Sequence, residues 1–561
     1  MPHRISAGRG IAAALFSIVL LPCIISAAWA APNPVDVTVN ASAAVRTVDD
    51  RVFGVNTAAW DGDMDSSTVQ GLLTAAGIRA LRYPGGSWSD GTYLWNELGW
   101  DGEPMTPTFG ALAGQLSASC FITGDYGAGT PQSNAAWVAY CNGSPSSTQI
   151  IGVDSNGNNW QTVGYWASLR AAAPLATDDG FNFLRASHPA PYEFKYWEIG
   201  NECYGGWEND THPLPHDPVT YANFTMQAIS AMKAVDPTIK IGVVVTESED
   251  DFANYPSEVV VNPVTGVSHS GWTAVLCSTL TSLGVVPDFV IYHNYAQNPG
   301  SESDAFLLQY APTWTGTATA IRTILNDYFG ATTATPIQLC CTENNSVSYD
   351  PGKQTTSLVN GLYYADSVGS ILQTEFDSLI WWDLHNGPDP NENNSSSLYG
   401  WREYGDYGIL ASAADLPGAA QDEPYPTYFA INLLEFFARN GDTIVPATSS
   451  YSDLSAYACL QQSGNLSLLL IDKDPANALN LSVSLAGFVP SGSGTVYQYG
   501  ETQDTEQSEG QTVDIAQSPL SNAASSMAID VPSYSMTVVS LSPLAAPPRP
   551  QDRRNRLSQQ R

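Results

Sequence analysis

Eight short apolar runs, near-continuous rather than alternating, recur between about residues 50 and 440. They are RVFGVN (51–56), IRALRYPGG (78–86), SCFITGDYG (119–127), FKYWEIGNE (194–202), IKIGVVVTE (239–247), PDFVIYHNY (287–295), PIQLCCTEN (336–344) and FDSLIWWDL (376–384). A strand that is apolar on both faces is covered on both faces, as in a parallel sheet. Helical patterns lie between several of the runs. Asp217-Pro218 opens PVTYANFTMQAISAMKAV, in which Tyr221, Phe224, Ile229, Met232 and Val235 share a side, and Asp236-Pro237 stops it. TTSLVNGLYYADSVGSIL (355–372) follows the seventh run, and YPTYFAINLLEFFARNG follows the eighth and ends on Gly441. Eight strand–helix units predict an α/β fold, a (β/α)8 TIM barrel over residues 50–442. An open, doubly wound sheet has similar periodicity; the count of eight and the residues at the strand ends favour the barrel. The stretch from about 142 to 190 is too long for a plain connection and predicts an elaborated loop region.

From 443 to 543 the texture changes. LSAYACLQ, LSLLLIDKD, LNLSVSLAGF, GTVYQYGE, QTVDIAQ and SYSMTVVSLS are short strands separated by turn residues, which predicts an attached C-terminal β-sandwich. Residues 31–49 contain a further strand, VDVTVNASAAV (35–45), expected to pair into the same sandwich and bring the two ends of the chain together. Residues 1–30 read as a removed signal peptide, with basic His3, Arg4 and Arg9, a short apolar run and AWA at Ala28–Ala30. That predicts a secreted or periplasmic protein with no membrane association after cleavage. The Pro- and Arg-rich segment 544–561 is expected to be disordered.

Charge narrows the partners. The 561 residues carry a formal charge of −34, with only 21 Lys and Arg, which repels phosphate backbones and excludes nucleic acid; a neutral polysaccharide is compatible. The 15 Trp and 27 Tyr serve either large cores or sugar-stacking surfaces. Cysteines 120, 141, 203, 277, 340, 341 and 459 are too sparse for a disulfide scaffold and show no zinc-ligand spacing, so no metal and no cofactor is expected. Cys120 begins the third run and Cys141 ends the helix after it, at the same end of a barrel, which makes a disulfide there geometrically reasonable. Cys340 and Cys341 point to opposite faces of one strand and are read as core.

The strand ends carry the candidate chemistry. A barrel of this kind places reactive groups at the C-terminal ends of its strands. Glu202 lies where the fourth run leaves the core, and Glu343 holds the same position on the seventh. Two carboxyls facing one point suit glycosidic cleavage: one protonates the leaving oxygen while the other attacks or stabilises the anomeric carbon. Burial and the neighbouring carboxylate are expected to raise the acid's pKa, while a cation, Arg82 at the end of the second run, keeps the nucleophile ionised. Asn201 is placed to hydrogen-bond a sugar hydroxyl. Glu198, four before Glu202 on the same face, is expected deeper in the barrel as part of an internal ion pair. His293 and Tyr295, two apart on a strand, point to one face.

The order Arg82 on strand two, NE on strand four, YHNY on strand six and TEN on strand seven resembles glycoside hydrolase clan A. Within it the chain is most similar to family 51-type α-L-arabinofuranosidases, through LRYPGGSW…YLWNELG and GDYGAGTPQSNAAWVAYCNG (124–143). The resemblance covers roughly residues 50–440. It implies Glu202 as general acid/base and Glu343 as nucleophile, with Arg82, Asn201, His293 and Tyr295 in or beside the sugar site and Tyr295 donating to Glu343. Trp88, Trp207 and Trp382 are candidate sugar platforms, and Trp382 with His385 is placed to shape the subsite. The chain departs from the family in Ser87, where Asn is frequent after Pro-Gly-Gly, and on the first strand, where Asn56 or Asp61 would replace a furanose-binding Glu. The expected function is a secreted retaining glycoside hydrolase acting on plant-type polysaccharide or oligosaccharide, most like an α-L-arabinofuranosidase. The alternatives are an endo-β-1,4-glucanase, xylanase or β-xylosidase on the same barrel, and a non-catalytic carbohydrate-binding protein.

Overall fold

The computed structural model describes residues 34–98, 105–412 and 420–544. The expected signal peptide, and all but the first residue of the segment 544–561, lie outside them. The eight runs form eight strands: β1 (Gly54–Asn56), β2 (Ala80–Tyr83), β3 (Ser119–Gly124), β4 (Tyr196–Ile199), β5 (Lys240–Val244), β6 (Phe289–Tyr295), β7 (Gln338–Asn345) and β8 (Phe376–Trp381). Each pairs in parallel with the next, and β8 pairs with β1, so the sheet closes and the open-sheet alternative is excluded. The closure explains the apolar runs. Inward side chains fill the barrel, and outward ones meet a ring of helices, so strands such as Ala80–Tyr83 are buried throughout.

A helix follows every strand. They are Ser67–Ala75, Thr106–Leu116, Pro131–Asn142, Pro218–Val235, Trp272–Leu283, Trp314–Phe329, Leu358–Ile371 and Pro426–Leu434. Asp217 starts the fourth of these by accepting from the N–H groups of Val219 and Thr220, with Pro218 at its first position. The last one stops at Leu434, short of Gly441, which instead turns the chain (φ 84°) so that its N–H donates to Val48. The long stretch after the third strand carries an additional helix, Val163–Ala171, and a turn closed by the bridges Ile150–Thr162 and Val153–Asn159.

The C-terminal strands form two sheets around a core that includes Val37, Leu468, Leu470, Leu481, Val483 and Val539. The strand Val35–Asn40 runs parallel to Leu479–Ala486 and antiparallel to Ala447–Ser449, so the beginning of the described chain is built into the same unit as its end. The run at 511–517 becomes a strand only from Ala516, because the polar helix Glu501–Ser508 precedes it, and Ser526–Val531 adds a strand not read from the sequence. The helix Leu358–Ile371 is buried over its whole length between barrel and sandwich. Gly369 permits this, since a Cβ there would lie 2.3 Å from the Tyr457 ring of the sandwich. The Tyr457 hydroxyl donates to Asp366 at 2.7 Å, and Lys473 Nζ lies 3.2 Å from the same carboxylate.

The seven described cysteines are free, buried thiols. The Cys120–Cys141 disulfide is therefore not formed. Both residues pack as small apolar groups in the main core, where burial pushes their thiols up and keeps them protonated. No described helix is long and apolar enough to cross a membrane.

Candidate active site

The barrel's C-terminal mouth is organised around Arg82. Its side chain is wholly buried and fans out four hydrogen bonds: Nε to Glu198 at 2.7 Å, Nη1 to Glu343 at 2.7 Å and to Asn56 at 3.2 Å, and Nη2 to the Asn201 amide oxygen at 2.8 Å. Burial alone would favour losing the proton, but Glu198 and Glu343 outweigh it and hold the guanidinium above its ordinary range. Glu198 is the deep ion-pair partner anticipated for it, and it also accepts from Thr123 at 2.9 Å.

Glu343 sits within β7, where the ladder with β6 slips by one residue between Tyr292 and His293. The slip skips Thr342 and brings His293 opposite Glu343, a bulge that re-aims side chains at the mouth. Glu343 accepts from Arg82 on one oxygen and from the Tyr295 hydroxyl at 2.6 Å on the other. Burial, first, and then the carboxylates of Glu343 and Glu202 push the Tyr295 phenol well above its usual range, so it stays a donor.

Glu202 lies three residues beyond the end of β4, after Gly200 (φ 70°) and itself in the left-handed region (φ 39°). Such a conformation costs a non-glycine residue on the order of 1–2 kcal/mol, and here it turns the carboxylate back over the mouth. Oε1 accepts from His293 Nδ1 at 2.9 Å and from the Tyr204 hydroxyl at 3.3 Å; Oε2 accepts from the Trp207 indole N–H at 2.8 Å. His293 is held on its other side by Thr342 Oγ1 at 3.1 Å and also lies 3.5 Å from Glu343. One oxygen of each glutamate and one nitrogen of His293 lie within 4.8 Å of one another. Arg82 and Tyr295 already occupy a site on each oxygen of Glu343, and the guanidinium's charge opposes a cation there.

The expected raised pKa of Glu202 is not what this arrangement gives. Burial does push it up, but the His293, Trp207 and Tyr204 donors outweigh burial and hold the carboxyl below its ordinary value. The sequence conveyed the burial and not the three donors.

Asn201 is 2% exposed and held by protein partners: its oxygen accepts from Arg82, one amide N–H donates to Glu208 at 3.0 Å, and its backbone N–H donates to Asp90 at 2.8 Å. Asn56 is likewise consumed, donating to the carbonyls of Thr342, Ile380 and Trp381. Ser87 donates to Glu208 at 2.7 Å. Glu208, missed in the sequence, is thus a third carboxyl beside the pair. Burial first, then the charge of Asp90, raises it to about 8.

The aromatic candidates divide into two groups. Trp88 and Trp382 both meet Trp60, which the sequence did not single out, at ring separations of 5.0 and 6.1 Å. Trp382 lies against Gly86 (φ 45°), where a Cβ would come within 2.9 Å of the indole; hence the glycine at this position in PGGSW. Trp207 lies beside Glu202, 59% exposed and folded over Gly205, where a Cβ would sit 2.3 Å away. His385 does not reach this space: it is buried between Asp61 at 2.9 Å and Asp422 at 3.3 Å.

No family model matches the chain. A probable α-L-arabinofuranosidase C of Aspergillus clavatus is 27% identical over 186 residues, 30% of either chain, so the chain matches less than a third of that relative's length. The family 51 α-L-arabinofuranosidase of Thermotoga petrophila superposes with a TM-score of 0.65 at 17% identity, covering 90% of this chain and 99% of that one. A family 44 xyloglucanase of Paenibacillus polymyxa gives 0.58 at 12% identity, covering 91% and 100%. In barrel, attached sheets and aligned sequence, the chain resembles the family 51 α-L-arabinofuranosidases of glycoside hydrolase clan A.

Proposed function

We propose that the protein is a secreted, retaining glycoside hydrolase that removes α-L-arabinofuranosyl groups from plant-type polysaccharide. The observation that carries this reading is the approach of the two carboxylates, one oxygen of each lying within 4.8 Å of the other. Retaining enzymes hold the pair ~5–5.5 Å apart, whereas inverting ones leave ~6.5–9.5 Å for a water. Glu343, held by Arg82 and Tyr295, attacks the anomeric carbon. Glu202 protonates the departing oxygen, and the glycosyl–Glu343 ester forms. Glu202, now a carboxylate, takes a proton from water, which hydrolyses the ester and frees the sugar. The substrate's leaving oxygen takes the place of the Trp207 N–H at Glu202; losing that donor raises the carboxyl's pKa toward the value a proton donor needs. Once Glu343 is esterified its charge is gone, which lowers the pKa of Glu202 again and suits it to act as base.

The test is release of nitrophenol from 4-nitrophenyl α-L-arabinofuranoside, together with labelling of Glu343 by a mechanism-based arabinofuranosidase probe. Turnover of the corresponding β-xyloside alone, or a label on another residue, would overturn the assignment. An endo-acting glucanase or xylanase is the second reading, favoured by the 59% exposed Trp207 ring beside Glu202. New reducing ends on intact β-glucan or xylan, without release of arabinose, would establish it instead.

A further inference from the structure

We propose that a cleft beside the catalytic mouth is a second binding site, for the neutral main chain of the polysaccharide whose branches the mouth removes; this rests on the glycosidase reading above. The cleft lies between the segment after β2 and the elaborated stretch after β3, and has a volume of about 440 Å³, within the range of small-ligand sites (~300–1,000 Å³).

Its floor is a group of four indoles, Trp95, Trp137, Trp160 and Trp166, with Trp95 stacked on Trp137 at 6.0 Å and edge-on to Trp166 at 5.0 Å. Three of the four indole N–H groups have protein acceptors: Trp137 on Thr106, Trp160 on Asp154 and Trp166 on the Trp160 carbonyl. The N–H of Trp95, which is 4% exposed, has none among the described residues. Trp314 and Trp381 also carry an indole N–H without an acceptor among the described residues, but of the three only Trp95 lines the cleft, where a ligand hydroxyl would satisfy it.

The rim has the matching chemistry. Tyr165 presents a ring that is 38% exposed, and Asn158, Asn159 and Gln161 offer exposed amides, each both donor and acceptor. Asp154 accepts the backbone N–H groups of Asn156 and Asn158 and so fixes the turn that carries them. The lining includes Glu97, Asp125 and Asp154 and no Lys or Arg, which repels acidic sugars and phosphates and admits a neutral glycan. Aromatic platforms with convergent amides are what a sugar's apolar face and hydroxyl edge require.

The cleft is coupled to the mouth. The Asp90 carboxylate accepts from the backbone N–H groups of Tyr126 and Gly127, in the loop that forms one wall, and from the N–H of Asn201, next to Glu202. A polymer seated in the cleft is therefore held on the barrel end where the catalytic pair opens.

The test is gel retardation of the full chain carrying Glu343→Ala by soluble arabinoxylan, debranched arabinan and xyloglucan. At least one polymer should retard the parent, and adding Tyr165→Ala, at the exposed rim, or Trp95→Phe, which keeps a ring and removes the N–H, should weaken binding ~5-fold or more. In otherwise unmodified enzyme, Tyr165→Ala should raise KM for that polymer by a similar factor while kcat/KM on the nitrophenyl arabinofuranoside stays within twofold. No retardation of the parent by any polymer, or equal retardation of parent and both variants, overturns the proposal. Tyr165-dependent retardation by an enzyme inactive on all glycosides would sink the glycosidase reading and leave the binding site standing.

Discussion

Nη1 of Arg82 and Oε1 of Glu343 lie 2.7 Å apart with the guanidinium fully buried, while Nε of the same group holds Glu198 at the same distance. One cation thus pairs with two carboxylates and orients the one proposed to attack. Removing the charge with Arg82→Met leaves both acids unpaired and should destabilise the fold by ~3–5 kcal/mol, read as a large fall in Tm. Arg82→Lys keeps the charge and loses the fork, so the fold should survive while kcat falls ~100-fold. A lysine variant with wild-type kcat would show that orientation by the fork is irrelevant.

Glu202→Ala removes the proposed proton donor. Substrates that need protonation of the leaving group should suffer ~100- to 10,000-fold, and 2,4-dinitrophenyl glycosides far less. A Brønsted plot of kcat/KM against leaving-group pKa checks this: it should steepen in the variant. An equal loss on all leaving groups would remove Glu202 from the acid role.

The barrel was legible because closure imposes one chemical demand on every strand: both faces must be apolar. The two glutamates were legible as charges ending such strands, and His293 and Tyr295 as a same-face pair, since period-two alternation survives in β6. What escaped depends on contacts between segments distant in sequence. Ser87, Asn201 and Glu208 meet only because two loops fold over each other, so the contacts that hold Asn201 between Arg82 and Glu208 are not readable from the sequence. Trp60 follows a loop with no periodic signature. The helix Glu501–Ser508 is entirely polar in sequence, and the alternating strand Ser526–Val531 lies at the edge of its sheet.

Trp207 tests the origin of Glu202's low pKa. Its N–H stabilises the charged form from an exposed position, so Trp207→Phe removes the bond with little effect on the fold. Glu202 then holds its proton to higher pH. The alkaline limb of kcat/KM reports that proton in the free enzyme and should lie on the acid side in the wild type. In the variant it should move up by ~0.5–1 pH unit, as expected for one charge-assisted hydrogen bond. A limb that stays fixed would mean Trp207 does not set the acid.

Stability should follow a parallel logic with the opposite sign from an ordinary acid-labile protein. Burial raises the pKa of Glu208 to about 8, Asp406 to about 6 and Asp472 to about 8, and raises Asp90, Asp125 and Asp383 as well. In the unfolded chain these groups ionise near pH 4–4.5. Between that value and each folded pKa the native state binds more protons than the unfolded one, so stability falls as pH rises through this window. Carboxyls held low, such as Glu202 and Asp210, act the other way and cost stability only when they must be protonated, below about pH 4. The maximum should therefore fall near pH 4–5, with Tm lower at pH 8, each kcal/mol moving it by roughly 1 °C in a cooperative unit this large. Glu208→Gln keeps the shape of the neutral acid and removes its titration, so it should flatten the decline between pH 5 and 8. Thermal melts across pH 4–9 decide it: a Tm that rises toward pH 8, or a Glu208→Gln profile parallel to the wild type, would mean these acids are ionised in the folded protein.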